Sequence, residues 1–225
     1  MVFPEFGLGG VFTSRDGLLP YTEDIPDVQA LPCLTGDAAS QPISVNASCF
    51  ARDNNVTIAI EYYDVKRCDR SSDVNCPEDG RYQYNTEVVF DRQGRIIARY
   101  YKYHEWIPFR AAIDMPQEAP IVTFNTDFGV TFGIFMCFDI AFPDPALTLV
   151  KMGVQHFVYS VAMDMVFGKM VHEAWSAQTN TVLLSSNLGQ RWSGIFDSGV
   201  EPAYESIDIP GYRKDSLMVG TVTRP

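Results

Sequence analysis

A glutamate, a lysine and a cysteine each stand where an apolar run of this chain stops: Glu5 after Val2-Phe-Pro, Lys102 after Arg95–Tyr101, and Cys137 after Val130–Met136. In α/β sheets the ends of neighbouring strands converge on one edge, so residues remote in sequence can share a pocket there. A carboxylate, an ammonium and a thiol so assembled suffice for acyl transfer. Cys137 would attack a carbonyl, and Glu5 would take the thiol proton and later activate water. Lys102 would favour the thiolate and, with the backbone N–H of Phe138, stabilise the tetrahedral oxyanion. Such donors typically contribute about 3–4 kcal/mol each in the transition state. Each residue also has an ordinary structural reading: cysteine is common in cores, lysine after an aromatic strand is usually solvated, and glutamate after proline usually marks a surface turn.

Cys137 is the odd cysteine of the chain. Cys68 and Cys76 lie eight positions apart in a polar loop rich in Asp, Ser and Asn, where a thiol gains nothing from packing. A disulfide closing such a loop contributes on the order of 2–3 kcal/mol. Cys33 and Cys49 form the natural second pair, although four cysteines admit three connectivities. Zinc would need ligand spacings that are absent: no Cys-x-x-Cys occurs and the histidines are scattered. The sequons Asn46-Ala-Ser48 and Asn55-Val-Thr57 agree with the paired cysteines in pointing to an oxidising, secretory compartment. The first residues, Met-Val-Phe-Pro-Glu-Phe, lack the basic and apolar regions of a signal peptide. No apolar run is long enough to span a bilayer. A formal charge of −11 would repel the phosphates of nucleic acid, which is excluded as a partner.

The elements that must position these residues are legible in outline. With 225 residues and 46% apolar content, the chain can bury a full core. Residues 6–40 read as loop. Residues 41–53 read as a helix burying Val45, Cys49 and Phe50 and turning Asn46 outward. Val56–Tyr63 is a strand by β-branched content, and Thr86–Asp91 pairs with Arg95–Tyr101 as a hairpin. Ile121–Asn125 and Val130–Cys137 form a second hairpin. A helix follows from Pro145 to Gly153, with Asp144 as its N-cap. Gln155–Val161 is a buried strand, 167–180 a helix and Thr181–Ser186 another buried strand, while 190–225 carries weak strand signals. Strand–helix–strand order over 130–186 implies a mixed or parallel sheet covered by helices. Without repeats or linkers, 1–225 reads as a single domain.

Three stretches carry a resemblance. Val2-Phe-Pro-Glu5 resembles the glutamate motif of the nitrilase superfamily, the carbon–nitrogen hydrolases. Arg99-Tyr-Tyr-Lys102-Tyr-His resembles its lysine motif, and Gly133-Ile-Phe-Met-Cys137-Phe-Asp-Ile its nucleophile turn. More narrowly, Tyr21-Thr-Glu-Asp-Ile-Pro-Asp27, Pro77–Thr86, Ile121–Thr126 and Phe132–Phe135 are similar to the vanin and biotinidase branch, whose members are secreted or lipid-anchored glycoprotein amidases. The likeness is nearly continuous from Val2 to Asn187. It implies an αββα sandwich with Glu5 as base, Lys102 as oxyanion stabiliser and Cys137 as nucleophile. It further implies cleavage of a linear amide, such as pantetheine or a biotin amide, through a thioester, with no metal or organic cofactor. Family members often associate through exposed faces, so a homodimer is a further expectation.

The chain departs from that pattern in places. The strand and helix that open the family domain are missing before Glu5, and the branch's C-terminal domain is absent, so 1–225 is expected to be a partial domain. Tyr159-Ser-Val-Ala-Met-Asp-Met165 stands where relatives carry Thr-Ala-Trp, which puts Met163 and Met165 forward as an altered pocket wall. The supporting glutamate that relatives carry after the lysine has no assigned counterpart around His104–Phe109, Glu105 included. The competing reading is a secreted glycoprotein with a degenerate fold that binds but does not catalyse. Rival catalytic patterns fail: His172-Glu173-Ala-Trp-Ser176 lacks the second histidine of a zinc protease, and Gly7-Leu-Gly-Gly10 lacks the third glycine of a dinucleotide turn. Cys137 with one of the histidines has no papain-like signature around it.

Overall fold

The β-branched and aromatic runs between residues 58 and 101 form a meander of antiparallel strands in the computed structural model, which describes residues 1–163, 168–188, 192–200, 204–208 and 216–222. The chain makes two compact units, one of Met1 with Phe6–Pro120 and the other of Val2–Glu5 with Ile121–Pro225.

The first unit contains α1 (Arg15–Leu18), β1 (Thr22–Glu23), α2 (Pro32–Thr35), α3 (Pro42–Asp53), β2 (Ile58–Arg67), β3 (Arg81–Phe90) and β4 (Ile96–Tyr101). Its sheet has the order β1-β2-β3-β4, with β1 parallel to β2 and the other pairs antiparallel. The helix expected over 41–53 is present, but its buried face is Ser44, Ala47, Ser48 and Ala51 rather than Val45, Cys49 and Phe50. Small residues at this helical spacing let the backbone lie close to its neighbours. Ser44 Oγ reaches Tyr62 Oη at 2.9 Å, and Ser48 Oγ donates to the Gly94 carbonyl at 2.5 Å. Phe50 is left 40% exposed, and Cys49 turns instead to a disulfide with Cys33. A second disulfide, Cys68–Cys76, closes the loop between β2 and β3. The start of α3 is held by buried Glu23, whose carboxylate accepts the N–H groups of Ile43 and Ser44 and the hydroxyl of Ser44. It thereby satisfies donors that a helix N-terminus leaves open.

The second unit contains β5 (Thr123–Asn125), β6 (Thr131–Ile134), α4 (Thr148–Lys151), β7 (His156–Val161), α5 (Gly168–Thr179), β8 (Val182–Asn187), β9 (Gly194–Asp197), β10 (Tyr204–Asp208) and β11 (Ser216–Gly220). The order β5-β6-β7-β8-β9 runs antiparallel at both edges and parallel through β6, β7 and β8. β10 and β11 make a separate antiparallel pair. The helix expected from Pro145 is present: Asp144 is extended, at φ −104° and ψ 140°, as an N-cap residue is, and the chain after it is helical, a π-type turn to Leu147 running straight into α4. Gly153, at φ 92°, ends it as the sequence implied. Among the described residues no helix is long and apolar enough to cross a membrane.

Aromatic packing joins α5 to this sheet. Trp175 meets Phe135 and Phe157 at ring-centroid distances of 4.8 and 5.2 Å, and His172 lies between Tyr159 and Phe196 at 5.2 and 5.5 Å. The His172 Nδ1–H donates to the Trp192 carbonyl at 3.1 Å, since a carbonyl can only accept. Burial, partly opposed by that hydrogen bond, pulls the imidazole pKa down to about 4.

Two outcomes follow from this packing. A methyl group on Gly94 would meet the Ser48 carbonyl oxygen at 2.5 Å, at a backbone φ of +80° that L-residues resist. Gly94→Ala should therefore destabilise the protein by about 2 kcal/mol or more, read from the urea midpoint. His172 folds in its neutral form, so its contribution is complete above its unfolded pKa of 6.5 and is lost as pH falls towards 4. That loss is on the order of 3 kcal/mol, and His172→Gln should flatten the stability curve between those two pH values.

Candidate active site

The turn at Cys137 is built entirely within the second unit. After β6 the chain stays extended through fully buried Phe135 and Met136 and then reverses at Cys137, whose φ is 44°. A left-handed conformation at a residue with a β-carbon costs about 1–2 kcal/mol and persists only where its surroundings enforce it. Two polar side chains enforce it here. Buried Asp139 accepts the Met136 N–H at 3.0 Å while its own N–H donates to the Met136 carbonyl at 2.9 Å. Tyr159, on β7, donates its hydroxyl to the Cys137 carbonyl at 2.8 Å. Phe138 follows in the 3-10 turn Cys137–Ala141. Cys137 is 8% exposed and is the one cysteine outside the disulfides.

Glu5 belongs to the same unit. Its short N-terminal segment lies along the end of β7, with Ser160 Oγ donating to the Phe3 carbonyl at 2.7 Å. Beyond the end of that strand the Ala162 N–H donates to Glu5 Oε2 at 3.2 Å. The carboxylate is wholly buried. Burial, and then the neighbouring charges of Cys137, Glu5 and Asp139, push the Tyr159 phenol well above its ordinary pKa. Glu5 and Cys137 thus share the C-terminal edge of the parallel strands β6 and β7, where strand ends were expected to converge. Met163 continues from this edge, its N–H donating to Asn187 Oδ1 at 2.8 Å and its carbonyl accepting from Asn187 Nδ2 at 3.0 Å. Met165 lies outside the described residues.

Lys102 belongs to the first unit. It follows β4, and its backbone N–H donates to the Asn85 carbonyl at 2.9 Å. Its side chain is 1% exposed, and Nζ is 2.9 Å from Oε1 of Glu105, which is wholly buried. Glu105 Oε1 also accepts the Trp106 N–H at 2.9 Å, and Oε2 accepts from Asn85 Nδ2 at 3.1 Å. A lone buried ammonium costs several kcal/mol, so a carboxylate with this many donors is what keeps a cation at this position. Glu105 therefore supports Lys102, a role that sequence reasoning left unassigned. The residue lies in a loop, where a separation of three positions carries no helical contact rule. Glu61 and Glu87 stand directly opposite each other on β2 and β3, both 1% exposed, and Glu61 Oε2 accepts the Phe6 N–H at 2.6 Å.

Both sequon asparagines are exposed, Asn46 on α3 and Asn55 in the turn after it at φ 51°. Among the described residues no group of three or more His, Cys, Asp or Glu side chains is arranged to hold a metal ion. A groove lined by Val130, Thr131, Gly153 and His156 opens at the N-terminal ends of β6 and β7 and contains none of the groups above.

The chain is 42% identical to a Homo sapiens pantetheinase over 89% of its own length and 40% of that protein's. It is 33% identical to a Homo sapiens biotinidase over 92% of the chain and 39% of that protein. It therefore spans about two fifths of the curated relatives it matches. Its fold is that of Saccharomyces cerevisiae Nit3, a member of the nitrilase superfamily, with a TM-score of 0.64 at 18% identity, covering 90% of this chain and 70% of that one. An amidase from Nesterenkonia superposes with a TM-score of 0.60 at 17% identity, covering 90% and 71%. Residues 1–183 match the carbon-nitrogen hydrolase family, and the chain belongs to it.

Proposed function

We propose that this chain carries the chemistry of a secreted, cysteine-dependent amidase that hydrolyses a linear carbon–nitrogen amide bond, with pantetheine as the first substrate and a biotin amide as the second. One observation carries the reading: the cysteine outside the disulfides stands on an enforced left-handed turn at the strand edge that also bears a buried carboxylate.

In this mechanism the Cys137 sulfur bonds to the amide carbonyl carbon as its proton passes to Glu5, and the carbonyl π electrons move to oxygen. Lys102 and the Phe138 N–H stabilise that oxyanion. As the tetrahedral species collapses, the carbon–nitrogen bond breaks and the amine leaves with the proton from Glu5. A water molecule then gives a proton to Glu5 and attacks the thioester, freeing the acid and restoring the thiol. Glu105 keeps Lys102 charged through the cycle. The disulfides Cys33–Cys49 and Cys68–Cys76 support an extracellular location, where glycans on Asn46 and Asn55 would keep the face around α3 in water.

In the full-length protein, Cys137→Ala should lower amine release from pantetheine by at least about a thousandfold while leaving the fold intact. Hydroxylamine added during turnover should divert product to the hydroxamate, as a thioester requires. Substantial turnover by the alanine variant would refute the mechanism. Glu105→Ala strands a buried ammonium, so it should cost about 3–5 kcal/mol of stability, read by urea unfolding, and reduce turnover as well.

A further inference from the structure

Tyr159 is wholly buried on β7, its ring wedged against Phe135 at 5.0 Å and His172 at 5.2 Å between centroids. Its one polar contact among those described is the 2.8 Å hydrogen bond to the Cys137 carbonyl. A carbonyl only accepts, so the phenol is the donor, and its raised pKa keeps the proton on it throughout the physiological range. That carbonyl belongs to the peptide joining Cys137 to Phe138. The peptide unit is planar and trans, so its C=O and its N–H point in opposite directions. Holding the carbonyl on Tyr159 therefore aims the Phe138 N–H away from the core and fixes its direction. Donation to the carbonyl also polarises the peptide and makes that N–H a stronger donor. The peptide on the other side of Cys137 has its own restraint, because the Met136 carbonyl accepts the Asp139 N–H at 2.9 Å. Tyr159 supplies the corresponding restraint for the peptide that follows.

We propose that Tyr159 is the positioning residue of the oxyanion donor, orienting and polarising the Phe138 N–H through the Cys137–Phe138 peptide. The inference rests on the reading of Cys137 as nucleophile. An oriented N–H matters only when negative charge develops on the substrate oxygen, so its loss should appear in the transition state and not in ground-state binding.

The test uses Tyr159→Phe in the full-length protein, with pantetheine as substrate and the aldehyde corresponding to pantothenic acid as probe. The aldehyde carbon bonds to the Cys137 sulfur, and its oxygen becomes the tetrahedral oxyanion. We expect kcat to fall roughly 10- to 100-fold, with KM changed less than about twofold. Aldehyde affinity should fall by a similar factor. Alkylation of Cys137 by iodoacetamide and binding of pantothenate should stay close to the parent. A kcat within about twofold of the parent overturns the proposal. So does a parallel fall in alkylation, pantothenate binding and melting temperature, which would mark Tyr159 as a structural brace alone. Cys137→Ala separates the two claims: an active alanine variant removes the nucleophile itself, whereas an inactive one beside a normal Tyr159→Phe removes only the role of Tyr159. If Tyr159→Phe does not fold, 3-fluorotyrosine at position 159 keeps the ring and strengthens the donor. A kcat raised about twofold is then expected, and an unchanged kcat overturns the proposal.

Discussion

The left-handed backbone at Cys137 is the constraint on which the second unit is organised. A thiol at the end of a straight strand would continue into the sheet's own packing. The reversal at φ 44° instead turns the chain out of β6 and into a 3-10 turn, and it does so at a residue that resists that conformation. Asp139 restrains the peptide before the cysteine and Tyr159 the peptide after it. Tyr159 is in turn held by Phe135 and His172, so packing between α5 and the sheet bears on the geometry of a single turn. The strain is local, while what sustains it is spread over β6, β7 and α5.

The first unit meets a different constraint. Its sheet presents Glu61, Asn85 and Glu87 on adjacent strands, with Lys102 just past β4, and all of them are buried. Charges withdrawn from water persist only when each finds partners of good geometry. Glu105 answers Lys102, and Asn85 and the Trp106 N–H answer Glu105. The loop 103–106 is therefore held to the sheet by polar contacts rather than by an apolar anchor. Its fully buried member is the glutamate, while Trp106 remains 43% exposed. A sequence pattern that ranks positions by hydrophobicity would order those two residues the other way.

The positions of Glu5, Lys102 and Cys137 were legible because strand ends are legible. β-branched and aromatic runs stop abruptly at Glu5, Lys102 and Cys137, and four cysteines that pair by spacing left one thiol over. The long strands β2 to β4, the buried strands β7 and β8 and the helices α3 and α5 follow from the same local periodicity. Where this reading missed, a distant partner had overridden the local pattern. The buried face of α3 is set by the hydrogen bonds of Ser44 to Tyr62 and of Ser48 to Gly94, and Phe50 is turned outward.

The amino-acid sequence by itself determined the element types, the one cysteine left outside the disulfides, the strand-end placement of Glu5, Lys102 and Cys137, and the family, because each depends on residue type and on spacing along one segment. Only the tertiary structure decided that Glu105 is the carboxylate facing Lys102, that Asp139 and Tyr159 hold the two peptides flanking Cys137, and that His172 is buried in its neutral form. Each of those outcomes depends on whether a polar group, once removed from water, finds a donor or an acceptor. That is decided by where other segments bring their own polar groups, and no single segment records it.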